Sequence, residues 1–268
     1  LTLLMIWRDE SGISVAADSR ISNENSTLTD IGQKIFSIPV YVTPFGVSVS
    51  NSGDGRYFPN IGLAFVGNTL LAQATAALVA TLLSSLAAEN ADEGPVTEDV
   101  AELVKRCLNH VVNEQMFWRS IKPSVEIVLF GISSDAQDFN VYDIYFEMLD
   151  GKYESKMEAV SLKAGGISFL GSGSDSLIRR LEEKSSVPGS VVHPLNLLRE
   201  IISEGDEKSV GGGIQFARLS SSGFKIHPVM EVNRSGLAEL SVLGVPASKI
   251  GLIGKFVSFQ NAVAIEVD

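Results

Sequence analysis

Residues 1–20 read LTLLMIWRDESGISVAADSR, and the reading of this stretch decides the fold. An almost wholly apolar run (residues 1–7) meets the turn RDESG and returns as a second run, ISVAADSR: two strands joined by a tight glycine-containing turn. Both runs are apolar on consecutive rather than alternate residues. That pattern predicts strands covered on both faces, in the middle of a layered structure. The opening is not expected to be a secretion signal, because no basic segment precedes it and Arg8, Asp9 and Glu10 cut it short. The longest apolar candidate, residues 70–88, is broken by Gln73 and several hydroxyls and reads as a buried helix rather than a membrane span. The expectation is a mature, cytosolic N-terminus.

Composition bounds the rest. The chain has 268 residues, 45% of them hydrophobic, enough for a substantial core. A net charge of −11 leaves no basic footprint for nucleic acid or an anionic membrane surface. The single cysteine, Cys107, excludes an intrachain disulfide and fits a reducing, cytoplasmic compartment. It lies in the helical pattern VAELVKRCLNHVV and reads as a small packed residue.

Along the chain, residues 38–60 hold three prolines and turn signals, and read as a hairpin or loop excursion. IGLAFVG (61–67) is a buried strand; Asn68 then caps a helix to about residue 89, and Thr97 caps another to about residue 118. Strands follow at 124–132, 140–149 and 152–160, the last two joined by the hairpin signal Asp150-Gly151. A strand at 167–171 runs into a helix; a second helix covers 195–205, and 211–232 form a hairpin turning at SSSG. The order of strands, two helices, strands, two helices and strands predicts an α+β fold: a four-layer αββα sandwich of two antiparallel sheets between helical layers. Residues 1–218 form the expected core, and 219–268 an extension packed on the same domain.

Common catalytic constellations are missing. None of the three histidines stands in metal-ligand spacing, and Cys107 with His110 has no second pair to complete a zinc site. No metal or cofactor is therefore expected. There is no G-x-S-x-G nucleophile elbow. GSGSDS (171–176) has the look of a phosphate-binding turn, but Ser176 stands where a third glycine belongs. An amide can be hydrolysed without histidine when a terminal hydroxyl residue uses its own α-amine as base. Such a site needs a threonine, serine or cysteine at the N-terminus, a cation to lower the local pKa, and a carboxylate to hold that cation. Thr2, Asp18 sixteen residues on and Lys34 thirty-two residues on could meet at one sheet end.

These residues carry a family resemblance. TLLMIWRDESGISVAADSR…IGQKIF resembles the active β subunits of the proteasome, which place threonine, aspartate and lysine at these intervals and share the AADSR phrase. LAFVG, ending at Gly67, GSGS (171–174), and DEKSVGG, with Asp206 and Ser209, extend the resemblance to about residue 218. The last match favours this family over the bacterial heat-shock peptidase ring. The chain is longer than such subunits between Lys34 and Gly67 and again at its C-terminal end, so a bacterial proteasome homologue with one self-assembling subunit is the better comparison.

The resemblance implies the N-terminal-nucleophile (Ntn) hydrolase fold and a threonine-type endopeptidase. Thr2 would be the nucleophile, Lys34 the cation, Asp18 its anchor and the Gly67 N–H the oxyanion donor. Ser172, Asp206 and Ser209 would position the amine and a relay water. Ile21, Gly32, Phe65, Thr69 and Gln73 would line the substrate pocket, whose uncharged walls favour small-to-medium apolar side chains. The implied partners are peptide or unfolded protein substrates, copies of the chain in a ring (two stacked rings), and an ATPase unfoldase. Because the mechanism needs a free amine on Thr2, Leu1 is expected to be an initiator position or a propeptide stub. Two other readings stand: a catalytically inactive scaffold subunit, and a nucleotide or small-molecule binder using GSGSDS.

Overall fold

The computed structural model describes residues 2–23, 26–46, 55–119, 123–133, 138–149, 152–186, 192–233, 235–251 and 262–267. Its elements begin with β1 (Leu3–Asp9), β2 (Gly12–Asp18), β3 (Ile21–Ser22), β4 (Thr27–Thr29), β5 (Ile35–Pro44) and β6 (Arg56–Gly67). Then come α1 (Thr69–Leu83), β7 (Leu86–Ala88), α2 (Thr97–Arg119), β8 (Val125–Ile132), β9 (Phe139–Leu149) and β10 (Lys152–Ala159). They are followed by β11 (Ile167–Gly171), α3 (Ser174–Ser185), α4 (Pro194–Glu204), β12 (Ile214–Ser220) and β13 (Gly223–His227). The last elements are β14 (Val229–Asn233), β15 (Ala238–Val242), β16 (Val245–Pro246), α5 (Ala247–Ile250) and β17 (Val263–Val267). The fold is mixed α+β, rich in antiparallel sheet.

The chain divides into two compact units: Leu1–Ile35, Leu162–Arg218 and Ile226–Asp268 form one, and Phe36–Ser161 with Leu219–Lys225 the other. The first takes in β11, β1, β2 and most of β12 of a five-stranded sheet in the order β11-β1-β2-β12-β13. As the unbroken apolar runs predict, every residue of β2 is buried, and so are Leu3–Trp7 of β1. One face of the sheet (Leu3, Met5, Trp7, Ala16, Phe216) packs with Leu177 of α3 and Leu195, Leu198 and Ile201 of α4. The residues after about 233, which show no clear pattern in sequence, form a four-stranded sheet, β16-β15-β14-β17. Within it β17 runs parallel to β14, a long-range pairing that no local signal announces. The part of the tail at 252–261 lies outside the described residues.

The second unit carries a six-stranded sheet, β10-β9-β8-β6-β5-β7, with α1 and α2 packed on it around Phe65, Val79, Val104, Leu108, Leu129 and Ile144. The expected 38–60 excursion is mostly a continuation of β5 and β6 as neighbouring strands, and residues 47–54 lie outside the described residues. Pro39 is tolerated because β7 pairs only with Val42–Pro44, leaving that stretch of β5 as an edge. The α1 helix stops at Leu83, short of the expected 89. Ser84 and Ser85 hydroxyls turn back to the carbonyl of Thr81, and Leu86–Ala88 are captured as a strand by β5. Asn68 caps α1 as expected, its side chain accepting from the Leu71 N–H at 3.2 Å. Thr97 opens α2, but its hydroxyl donates instead to the carbonyl of Ile132 at 2.6 Å. The Asp150-Gly151 turn lies outside the described residues.

Gly67, where β6 ends, adopts φ +90°, and a Cβ there would collide with the carbonyl oxygen of Ser124. Gly67→Ala is expected to cost about 2 kcal/mol of stability, read as a lower urea midpoint with an unchanged denaturant slope.

Candidate active site

The register of the five-stranded sheet gathers the predicted residues at one end. In the β1–β2 pair Leu4 faces Ala17, which brings the start of β1 beside Asp18; in the β1–β11 pair Leu3 faces Gly171. Thr2 is 1% exposed, and its carbonyl accepts from the Ser172 N–H at 3.1 Å. Residues sixteen and 170 positions from Thr2 thus flank it because antiparallel pairing returns them to the same sheet end.

The centre of this end is a buried ion pair. Lys34 Nζ donates to Asp18 Oδ1 at 2.7 Å, with both side chains wholly inaccessible. The same oxygen accepts from the Leu3 N–H at 3.0 Å, so the carboxylate ties the lysine to the backbone adjoining Thr2. The other oxygen accepts from the N–H groups of Arg20 (3.1 Å) and Gly211 (3.0 Å). Four donors, one of them charged, offset the cost of burying the carboxylate. Burial pushes the Lys34 ammonium below its ordinary pKa, and the charge and hydrogen bond of Asp18 oppose that shift.

The AADSR phrase has a structural use. Ser19 and Arg20 N–H groups both donate to the Gly211 carbonyl, and the Ser19 hydroxyl accepts from the Gly213 N–H at 2.8 Å. Arg20 pairs with Asp30 (Nε to Oδ1 2.6 Å) and reaches the carbonyls of Lys208 and Val210. Gly212, at φ +74°, leaves no room for a Cβ against Asp30 and Ser19. The glycines of DEKSVGGG therefore let the loop lie flat against the end of β2. Pinned this way, the loop sets Ser209, whose hydroxyl lies 3.0 Å from that of Ser172.

The other predicted residues fall in both units. Asp206 faces solvent, 73% exposed, with Arg180 at 3.5 Å. Arg20, Ser22, Thr27, Asp206, Lys208 and Ser209 are among the residues that line a polar cavity of about 640 Å³ beside the Ser172–Ser209 pair. Ile21 is half-buried and rests on Gly32, where a Cβ would run into its side chain. In the second unit Phe65 is buried and stacks on Phe36 in the core, while Thr69 and Gln73 are half-buried on α1. Gly67 is placed there too, at the end of β6.

In GSGSDS, Ser172 meets Ser209, the Ser174 hydroxyl donates to the Gly171 carbonyl at 2.8 Å, and Ser176 faces the carboxylate of Glu207 at 3.3 Å. With its hydroxyls engaged internally and a carboxylate alongside, this turn is poorly suited to a phosphate. Among the described residues no group of three or more His, Cys, Asp or Glu could hold a metal ion, and no helix is long and apolar enough to cross a membrane.

Three groups at the sheet end escape the sequence pattern. Asp30 and Ser19 have no signal beyond the phrase around them. Gln215 is wholly buried in the apolar strand β12, and a buried polar residue among apolar ones is the only hint it offers. Its Oε1 accepts from the Lys34 N–H (2.9 Å) and the Ile35 N–H (3.3 Å).

A second cluster lies in the other unit, in a cavity of about 550 Å³ lined by Gly67, Ser124, Glu126, Asp143, Tyr145 and Glu158, among others. Burial, reinforced by Glu126 and Glu158, pushes the Asp143 carboxyl up to about 7, and burial raises Glu126 as well.

No family model and no curated protein matches the chain. Among solved structures it is similar to the Anbu complex of Pseudomonas aeruginosa, solved as a helical assembly, with 16% identity and a TM-score of 0.55. That match covers 84% of this chain and 86% of the other. It is also similar to a Gly-1 mutant of Anbu from Hyphomicrobium sp. strain MC1, with 16% identity, a TM-score of 0.53 and 84% of each chain covered. At such identity the likeness shows the fold alone: the chain shares the fold of the Anbu structures.

This corrects the family read from the sequence. The structures named share the fold as Anbu complexes, not as proteasome β subunits. The physical reason is that most of the matched residues, Thr2, Asp18, Lys34, Ser172 and Ser209, are those that close one sheet end. They report the architecture rather than a branch within it.

Asp18→Ala leaves the Lys34 ammonium buried without its partner and is expected to cost about 3–5 kcal/mol. The double variant Asp18→Ala/Lys34→Met should recover part of that loss in chemical denaturation. For Asp143 the sign runs the other way from an ordinary carboxylate. Its folded pKa lies above the ordinary 3.8, so its contribution is complete below about pH 4 and is lost as pH rises through about 7. Asp143→Asn should therefore narrow the gap between urea midpoints measured at pH 5 and pH 8.

Proposed function

We propose that the chain is a threonine-type peptidase that uses Thr2 as an N-terminal nucleophile and works as a homo-oligomer. The observation that carries this reading is the buried Lys34–Asp18 pair, tied through Asp18 Oδ1 to the Leu3 N–H next to Thr2. A fully desolvated lysine is costly, and the described geometry spends that cost beside a threonine at the end of a strand. The assembly of copies rests on the likeness to the Anbu complex, which was solved as a helical assembly.

In this reading the chemistry begins when everything before Thr2, Leu1 included, has been removed. The freed α-amine has an ordinary pKa of about 7.7–8.0 and takes the proton of the Thr2 hydroxyl near neutral pH. Oγ bonds to the peptide carbonyl carbon, and the carbonyl oxygen takes up the negative charge. The Lys34 ammonium favours the deprotonated nucleophile by its charge, and Asp18 keeps that ammonium in place. The C–N bond then breaks, and the leaving amine receives the proton from the Thr2 amine. Water attacks the resulting ester, releasing the carboxylic acid and restoring the hydroxyl. Ser172 and Ser209, 3.0 Å apart beside the Thr2 carbonyl, are suited to hold the amine and that water.

Incubation with a peptide epoxyketone, which needs both the hydroxyl and the free amine, should add one inhibitor mass to the peptide beginning at Thr2. Thr2→Ala should abolish the adduct, and Lys34→Ala should slow it by about a hundredfold or more. N-terminal sequencing that finds a residue persistently attached before Thr2 in the assembled protein would overturn the mechanism. An assembly of normal size with no adduct would support the inactive scaffold instead.

A further inference from the structure

We infer that Gln215 is a positioning residue for Lys34; the inference rests on the peptidase reading above. Residues 31–34 belong to no strand, yet they deliver the ammonium buried against Asp18. The Ser19 carbonyl accepts from the Gly32 N–H at 2.8 Å and the Thr29 hydroxyl from the Ile31 N–H at 3.2 Å, and the backbone on either side of the Lys34 N–H is held by the side chain of Gln215. Gln215, on β12, accepts the N–H groups of Lys34 (2.9 Å) and Ile35 (3.3 Å) with Oε1, and donates from Nε2 to the Gly32 carbonyl at 2.6 Å. The side chain is 0% exposed, so no water competes for these bonds. The orientation of the amide is forced: turned over, its NH₂ would face two N–H donors and its oxygen a carbonyl.

At the Gly32 carbonyl and the Lys34 and Ile35 N–H groups, one amide thus does what a neighbouring strand does elsewhere. It supplies one acceptor and one donor where the backbone leaves the sheet. Because both N–H groups it holds flank the Lys34 side chain, its removal lets that chain swing while Asp18 stays anchored by three backbone donors. Gln215 touches no reacting atom. Its effect on the reaction runs entirely through where the ammonium sits.

The test pairs two variants of the full-length assembly. Gln215→Met keeps the length of the side chain and removes all three bonds. Gln215→Glu, kept protonated by burial, can still accept with one oxygen and donate to Gly32 with the other. Hydrogen exchange read by mass spectrometry should show faster exchange at Lys34 and Ile35 in the methionine variant, with β1 and β2 unchanged. Peptide turnover should then fall about tenfold or more in kcat with KM little changed, and the acid limb of the pH profile should move to higher pH. The glutamate variant should restore protection and kcat at low pH and lose both as its carboxyl ionises.

Unchanged exchange at Lys34 and Ile35 in the methionine variant overturns the inference. So does lost protection with kcat and pH profile intact. A wild-type assembly that forms no epoxyketone adduct overturns the peptidase reading and this inference with it, a result distinguishable from the first two because they appear with the wild type active.

Discussion

A lysine ammonium and a carboxylate, both sealed from water, are the constraint on which one end of the five-stranded sheet depends. Such a pair gains nothing for stability over well-packed apolar groups and is costly once either partner is lost. Here the carboxylate accepts from three backbone N–H groups as well as the ammonium, and those donors come from β1, the turn after β2 and the glycine loop before β12. Asp18 is therefore a junction of three separate chain segments as well as an anchor for Lys34. Folding must bring the segments together before the charge can be buried.

The surrounding residues follow from that junction. The carbonyl of Gly211 takes two N–H groups at the end of β2, and Arg20 reaches over the loop to Asp30. Gly212 allows the close approach, and the Ser209 hydroxyl is set against Ser172 as a result. Arrangement of this kind is rigid in the sense that matters for chemistry, since each group is held by partners that are themselves held. Asp206 belongs to the same loop but turns outward to Arg180, which separates it from the buried set.

Local physics wrote much of this plainly. Consecutive apolar residues in β1 and β2 announce strands with two covered faces. Asn68 announces the start of α1, and Gly205, in a left-handed conformation, ends α4. Where the expectation fails, a distant partner has intervened: β5 captures Leu86–Ala88 from a helical pattern, and the Ile132 carbonyl draws the Thr97 hydroxyl from its cap. The C-terminal sheet was illegible because its parallel β14–β17 pairing joins segments whose patterns are individually weak.

By itself the sequence determined the strand hairpin, the α+β class and the residue types able to build a histidine-free hydrolytic site: a hydroxyl at Thr2, a carboxylate at Asp18 and an ammonium at Lys34. Those are properties of local pattern and of side-chain chemistry, both written one residue at a time. Only the tertiary structure decided that Asp18 and Lys34 are in contact and dry, that Ser172 meets Ser209, and that Gln215 holds the backbone of Lys34 from 181 positions away. Burial and long-range hydrogen bonding are properties of the assembled sheet, so a buried glutamine in an apolar strand is mute until the strand beside it is known.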